Sequence, residues 1–464
     1  MSFTSLTFCL FLPIIFSVYW ALQRSLRWQN AFLVVASYVF YGWWDWRFLT
    51  LIALTSAASY ASGLALQHYD DRSRMRRMFT IANIILNLGI LCVFKYFNFF
   101  TQSFANLLNA CNIHADVPTL RLILPVGISF YTFQALSYTI DVYRRRLSAT
   151  HDPVAFFAYI SFFPQLVAGP IERATHLLPQ ILRSRTFNNA DAVDGLRQML
   201  WGFCKKMIVA DTCAMAVDII WQSPSEHSAL VLAVGAFLFM MQIYGDFSGY
   251  SDIAVGCARL FGIDLMQNFR TPYFATSLAD FWRRWHISLM TWLRDYVYIP
   301  LGGNRCSHTR QMLNTLTVFL LSGLWHGAAW TFVLWGIYHG VFMCLEKTTK
   351  GRLSNWLVVQ ILVCLGWIIF RANDMTTLTN YLNGLCQVST LCAFYTLTMG
   401  KAAIVWCLAL LLVEWFGRHR RHALDFSHSG LLRYAPVRWT IYYSLLALLL
   451  FCHGEQQTFI YFQF

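Results

Sequence analysis

Apolar runs of roughly twenty residues recur along the whole chain, and no other feature limits its possible folds so sharply. A run of that length matches the rise of an α-helix through a hydrocarbon layer of about 30 Å. Such runs lie near 5–21, 29–45, 47–66, 78–100, 122–142, 153–169, 196–221, 228–245, 249–263, 311–345, 354–371, 401–416 and 437–453, the run 311–345 being long enough for two. In lipid every backbone N–H and C=O must be satisfied internally. The pattern therefore predicts an all-α, polytopic integral membrane protein. Some runs are short or interrupted, so about eleven transmembrane helices are expected, with re-entrant or interfacial pieces between them. Only 12% of the 464 residues are charged, against about 25% in an ordinary soluble domain. No soluble domain fits between the runs. One membrane-embedded domain over 1–464 is expected, with 1–122 mainly scaffold, 123–345 a catalytic core and 346–464 a return to plain C-terminal spans.

The net charge of +13 raises the question of a polyanionic partner. The basic residues cluster instead between the runs, at Arg24 and Arg27, Arg72 to Arg77, Arg144 to Arg146, Lys205 and Lys206, Lys347 to Arg352, and Arg418 to Arg421. Read as short loops, these give the positive-inside signal, and no nucleic acid is expected as a partner. Counting crossings puts the N-terminus outside, and the aromatic turn Tyr41 to Trp46 then falls at the outer interface. The thirteen cysteines are scattered without a C-x-x-C pair or a zinc-like spacing. They read as small buried hydrophobes, and no metal site is expected. Met1-Ser2-Phe3 lacks a basic n-region and reads as the start of a first span.

The middle of the chain differs from its ends. Polar and glycine residues recur inside apolar segments at 125–134, 163–173 and 242–252, and non-helical backbone survives at that depth only where protein or a water-filled cavity surrounds it. One internal cavity is the expected reason. Within Ser322-Gly323-Leu324-Trp325-His326-Gly327-Ala328-Ala329-Trp330 a histidine sits inside the run 311–345, and an ionisable side chain at membrane depth is costly enough to mark a functional site. The flanking glycines let a substrate or another helix come close. His339, thirteen residues further on, faces elsewhere if the helix is continuous and is left out of the site.

The stretch 277–303 cannot span, since it holds Asp280, Arg283, Arg284, His286, Arg294 and Asp295. Ser277 followed by Asp280 resembles a capping box. Trp282, Trp285, Leu289 and Trp292 fall at helical spacing, which predicts one amphipathic helix lying at or dipping into the membrane and ended by Pro300-Leu301-Gly302-Gly303. Asp246 and Asp252 would be expensive facing lipid. Arginines such as Arg270, Arg283 or Arg284 are their expected partners, unless they cap a broken helix. His286 and His326 in so apolar a protein suggest proton transfer inside a membrane; the other reading is a core histidine bonded between helices and an interfacial one.

Five motifs then occur in order: Asp246-Phe247-Ser248-Gly249-Tyr250-Ser251-Asp252, Asn268-Phe269-Arg270-Thr271-Pro272-Tyr273, Phe281 to Leu289, Tyr298 to Asn304, and Leu324-Trp325-His326-Gly327. Together they resemble the membrane-bound O-acyltransferase family, in particular its bacterial branch that acetylates alginate or alanylates teichoic acids. The resemblance implies helices around a central funnel or tunnel and transfer of an acyl group from a thioester to a hydroxyl. By motif it puts the family's catalytic histidine on His326 and a second one on His286, with no departure at either position.

An acceptor hydroxyl must lose a proton as it attacks, which suits a histidine as general base. His326 is assigned that role. His286 is assigned to polarising the carbonyl, orienting the acceptor or lining the tunnel. Trp325, Trp285, Ser288, Asp246, Ser248, Tyr250, Asn268, Arg270 and Arg284 are the candidates for binding substrate or lining the tunnel, though tryptophans and paired aspartates also serve packing. No bound cofactor is expected. The donor implied is acetyl-CoA or an acylated carrier protein on the cytoplasmic side of a bacterial inner membrane. The acceptor implied is an exported or cell-wall polysaccharide, reached through an outer-face partner acetyltransferase. A polytopic transporter or channel for a polysaccharide precursor would also suit the polar middle, as would direct acylation of a lipid, a protein or a small polyol.

Overall fold

The computed structural model describes residues 1–464 except Arg72, 114–119, Arg121, Ala168, Lys350, Arg352, Leu353, 388–393, 427–429, 431–433 and 461–464, and except the side chains of 394–399. Arg72 and the pair Lys350 and Arg352 of the basic runs, Ala168 of the segment 163–173, and the last four residues therefore lie outside the described residues. Among the described residues the regular structure is helical throughout, as expected, with no strand. Among the described residues four helices are long and apolar enough to cross a membrane: Trp46–His68, Arg74–Ala110, Ala229–Leu260 and Gly400–Gly417. Leu6–Ala21, Trp356–Arg371 and Ala435–Phe451 are shorter apolar helices. The chain divides into two compact units.

The first unit comprises Met1–Ala192 with Cys257–Met266. Ile128–Tyr143 packs against both Leu49–His68 and Arg74–Leu91, and Leu26–Gly42 packs against Pro153–Ser161. Arg76 is fully buried and donates to the carbonyl oxygens of Val142 at 3.0 Å and Tyr143 at 2.8 Å. It thereby satisfies acceptors that the end of Ile128–Tyr143 leaves open. The irregular backbone expected at 125–134 and 163–173 is present. Gly127 has φ +74 immediately before Ile128, and its Cα lies so close to the Leu166 carbonyl that no side chain fits. Phe162 interrupts the helices Pro153–Ser161 and Phe163–Leu166.

The second unit comprises Val193–Gly256 and Gln267–Phe464. Here the sequence reading needs four corrections. First, the runs 228–245 and 249–263 are one 32-residue helix, Ala229–Leu260. Its glycines do not break it; they admit a neighbouring backbone. A Cβ at Gly245 would stand 3.0 Å from the Lys205 carbonyl, and one at Gly249 2.8 Å from that of Gly202. Second, Lys205 and Lys206 are not in a loop. They sit in a π-helical turn, Cys204–Ala210, between the helices Asn189–Phe203 and Asp211–Gln222. Third, both lysines are buried and take the carboxylates that arginines were expected to take. Lys205 pairs with Asp252 at 2.6 Å, and Lys206 with Asp211 at 2.7 Å and Asp246 at 2.8 Å. A π-turn inserts one extra residue per turn and so re-aims side chains off the regular helical face.

Fourth, 277–303 is not one surface helix. Ser277 caps Leu278–Arg284 by accepting from the Asp280 N–H at 3.0 Å, as the capping reading expects. The helix then stops, and a second one, Ile287–Leu293, follows after His286. Trp282, Trp285, Leu289 and Trp292 are all buried within protein and do not share a lipid-facing side.

The run 311–345 forms two helices, His308–His326 and Trp330–Thr348, separated by extended Gly327. They pack closely on each other. Gly323 lies against the Phe332 carbonyl, and a Cβ on Gly336 would stand 2.5 Å from that of Phe319. Overpacking of such a contact costs about 1–3 kcal/mol. Gly323→Ala is therefore expected to lower the thermal midpoint in detergent, and an unchanged midpoint would show that the hairpin has room to spare.

Candidate active site

His286 has φ +45 and ψ +51, the left-handed region that a residue with a Cβ enters at a cost of about 1–2 kcal/mol. The segment 268–270 holds it there. The Arg270 N–H donates to the Arg284 carbonyl at 3.0 Å, and the Ile287 N–H donates to the Asn268 carbonyl at 2.9 Å. These two bonds bracket Trp285 and His286. The Asn268 side chain locks the bracket: its Oδ1 accepts from Ser288 Oγ at 2.6 Å, and its Nδ2 donates to Ser251 Oγ at 3.1 Å. Asn268, Ser288 and Ser251 are all buried. Ser251 lies on Ala229–Leu260, so that long helix anchors the loop that shapes His286.

His326 is the last residue of its helix, and the chain leaves it through extended Gly327. The two imidazoles meet with ring centroids 6.2 Å apart. His286 is 1% exposed and His326 4%. Trp325 touches both, at 5.6 Å from His286 and 5.0 Å from His326. Phe247 stands edge-on to His286 at 4.7 Å. Trp335 and Phe370 flank His326 at 5.2 and 5.3 Å. Trp285 points away from the pair, onto Trp367 at 4.7 Å and Phe269 at 5.0 Å. His286 lies outside the apolar spans. Burial among these rings pushes its imidazole down to about 3, so it is neutral across the physiological range.

The structure thus brings together His326, His286, Trp325, Asn268 and Ser288, with Trp285 behind them. Asp246 belongs to another cluster. It pairs with Lys206 and accepts from the Ile460 N–H at 2.7 Å. Tyr250 packs on Phe459 at 4.3 Å. Ser248 is fully buried on the same helix. Arg284 pairs with Asp280 at 2.9 Å and not with Asp246 or Asp252. Arg270 directs its backbone to the His286 bracket while its side chain is exposed.

His339 was left out of the site on the condition of a continuous helix. The helix is interrupted at Gly327, and the His339 ring stands 4.9 Å from Trp335, which itself touches His326, and 4.9 Å from Trp282. Sequence reasoning did not single out Glu414, a buried carboxylate that accepts from the Tyr244 hydroxyl at 2.6 Å. An acid inside an apolar run was the available signal. Among the described residues no three His, Cys, Asp or Glu side chains gather as a metal site.

Comparison with known proteins gives these findings. The family model described as membrane-bound O-acyltransferase, MBOAT, matches residues 134–381, which include both histidines. The probable alginate O-acetylase AlgI of Pseudomonas aeruginosa is 40% identical over 375 residues, 79% of this chain and 71% of that protein. The peptidoglycan O-acetyltransferase of Helicobacter pylori is 30% identical over an alignment covering 98% of this chain and 95% of that protein. The teichoic acid D-alanyltransferase of Bacillus subtilis is 29% identical over 280 residues, 54% of this chain and 70% of that protein.

Removing the Asn268 side chain takes a buried partner from the Ser251 and Ser288 hydroxyls, at about 1–3 kcal/mol for a buried group left unsatisfied. Asn268→Ala is expected to destabilise the second unit more than Ser288→Ala, which removes a donor and leaves the bracket in place. Thermal unfolding in detergent measures the difference, and equal midpoints would mean that Asn268 does not lock the loop.

Proposed function

The chain belongs to the membrane-bound O-acyltransferase family and is an O-acyltransferase of the multi-pass membrane type; we propose that it moves an acyl group, acetyl by our reading, from a cytoplasmic thioester donor across a bacterial inner membrane toward the hydroxyls of an exported or cell-wall polysaccharide. The observation that carries this reading is the pair His286 and His326, buried side by side in an aromatic shell with centroids 6.2 Å apart. Two of the relatives are named for acetyl transfer to alginate or peptidoglycan and one for D-alanyl transfer to teichoic acid. All three polymers lie outside the cytoplasm, and for that reason an outer-face partner acetyltransferase is part of the proposal.

In this reading His326 accepts the proton of the attacking hydroxyl. The hydroxyl oxygen forms a bond to the thioester carbonyl carbon, and the carbonyl electron pair moves onto oxygen. His286, neutral because it is buried, donates a hydrogen bond to that oxygen. As the oxyanion collapses the C–S bond breaks, and the thiolate takes the proton held by His326. A hydrogen bond spans about 3 Å between heavy atoms, so one reacting carbonyl can lie within reach of both rings. The shell of Trp325, Trp335 and Phe370 keeps water from competing with the acceptor. Neither acetyl-CoA nor an acylated carrier protein is favoured by this chemistry, since both present the same thioester.

A positioned proton acceptor contributes about 10²- to 10⁴-fold. His326→Ala is expected to lose at least that much acylation of surface glycan, measured by mass spectrometry, at unchanged membrane abundance. Retained acylation would remove His326 from the reaction. His286→Gln is expected to lower kcat without moving the acid limb of the pH profile. With a native value of about 3, His286 gains a proton only far below the range in which that limb lies. Disappearance of the limb in the variant would assign it to His286 and overturn its role as a neutral donor.

A further inference from the structure

Away from the histidines, the first unit carries an apolar groove between two of its helices. Leu26–Gly42 packs on Pro153–Ser161. The N-terminal halves of both leave a space of about 240 Å³, lined by Ala31, Val34, Pro153, Val154 and Phe157. All five are apolar. A cavity with such walls stays dry, and roughly 150 Å³ is enough to take up a hydrocarbon the size of benzene. Walls left bare forfeit their dispersion contacts, so this groove calls for an apolar filling.

Cationic groups stand at one end of it. Arg27, Ala31 and Val34 follow at i, i+4 and i+7, so they share one face of their helix. Arg27 therefore lies one turn before the first lining residue on the same face. Arg24 is in the turn that leads into that helix. Both arginines are exposed, and among the described residues neither forms an ion pair. Trp28 beside them is 68% exposed. Basic residues with an exposed tryptophan mark the level of the lipid headgroups. The other helix of the groove is entered from the same side, since its N-terminal half also lines the space.

We propose that this groove binds one anionic phospholipid, with Arg24 and Arg27 on its phosphate and an acyl chain along Ala31, Val34 and Phe157. The site is separate from acyl transfer and stands whether or not that reading does. A guanidinium offers a phosphate two parallel N–H donors. Basic groups beside a cleft between membrane helices suit an anionic headgroup, which lies at the surface where its chain enters the apolar layer. A helix from another membrane protein would fill the groove with side chains and leave two exposed cations unmatched. A phospholipid with net negative charge supplies the chain and the charge together.

The test uses the full chain in detergent, as wild type, as R24Q/R27Q and as Ala31→Phe, whose ring fills the groove. Native mass spectrometry counts the molecules held after exchange against phosphatidylglycerol and phosphatidylethanolamine of matched acyl chains. Wild type is expected to retain at least one lipid and to prefer phosphatidylglycerol by at least about fivefold, the worth of a single arginine at a membrane surface. R24Q/R27Q is expected to hold the two lipids alike with an unchanged thermal midpoint, because both arginines are exposed. Ala31→Phe is expected to hold one lipid fewer of either kind. An unaltered preference in R24Q/R27Q overturns the proposal, and so does an unaltered count in Ala31→Phe. A wild-type dimer, read by sedimentation, that Ala31→Phe dissociates also overturns it and makes the groove a contact between copies of this chain.

Discussion

Packing alone does not fix the orientation of an imidazole buried among aromatic rings, because flat apolar walls tolerate rotation and slippage. Here the orientation of His286 comes from backbone hydrogen bonds. Arg270 to Arg284 and Ile287 to Asn268 form two rungs around a residue with positive φ, and Asn268 ties those rungs to Ser251 on a 32-residue helix. The strain of a left-handed histidine is offset by the backbone bonds on either side of it. His326 reaches the same place by another route, at the end of a helix whose glycines permit the tight hairpin with Trp330–Thr348. The pair is thus assembled from two separate local devices.

Around the pair the buried charges belong to the scaffold. Lys205 and Lys206 are scaffold: they neutralise Asp252, Asp211 and Asp246 and draw in the C-terminal segment. Lys206 donates to the Gln457 carbonyl at 3.1 Å, Asp246 accepts from Ile460, and Phe459 lies on Tyr250. Breaking one member of so buried a network leaves an uncompensated charge, which typically costs about 3–5 kcal/mol.

Much of this was legible in the sequence, and the failures are instructive. The all-α membrane character followed from apolar runs, and His326 stood out because glycines and tryptophans surrounded an ionisable group at depth. The Ser277 cap was read correctly because capping is local. What failed depended on distant partners. The left-handed turn at His286 exists only because 268–270 pairs with 284–287, and helical spacing of Trp282, Trp285, Leu289 and Trp292 suggested an unbroken helix instead. The glycines of 242–252 looked like interruptions but serve the approach of the Lys205 backbone. Lys205 and Lys206 looked like a basic loop because their acids lie up to forty-seven residues away, at Asp252. His339 was excluded by assuming a continuous helix through Gly327.

The central claim is that His286 and His326 act on one reacting group. Residues that act as a unit lose rate non-additively. A double-mutant cycle on kcat with His286→Gln, His326→Gln and both together tests this directly. The account predicts that the double variant is about as slow as the slower single variant. Losses that multiply in full would mean that the two imidazoles work independently, and the shared site described here would be wrong.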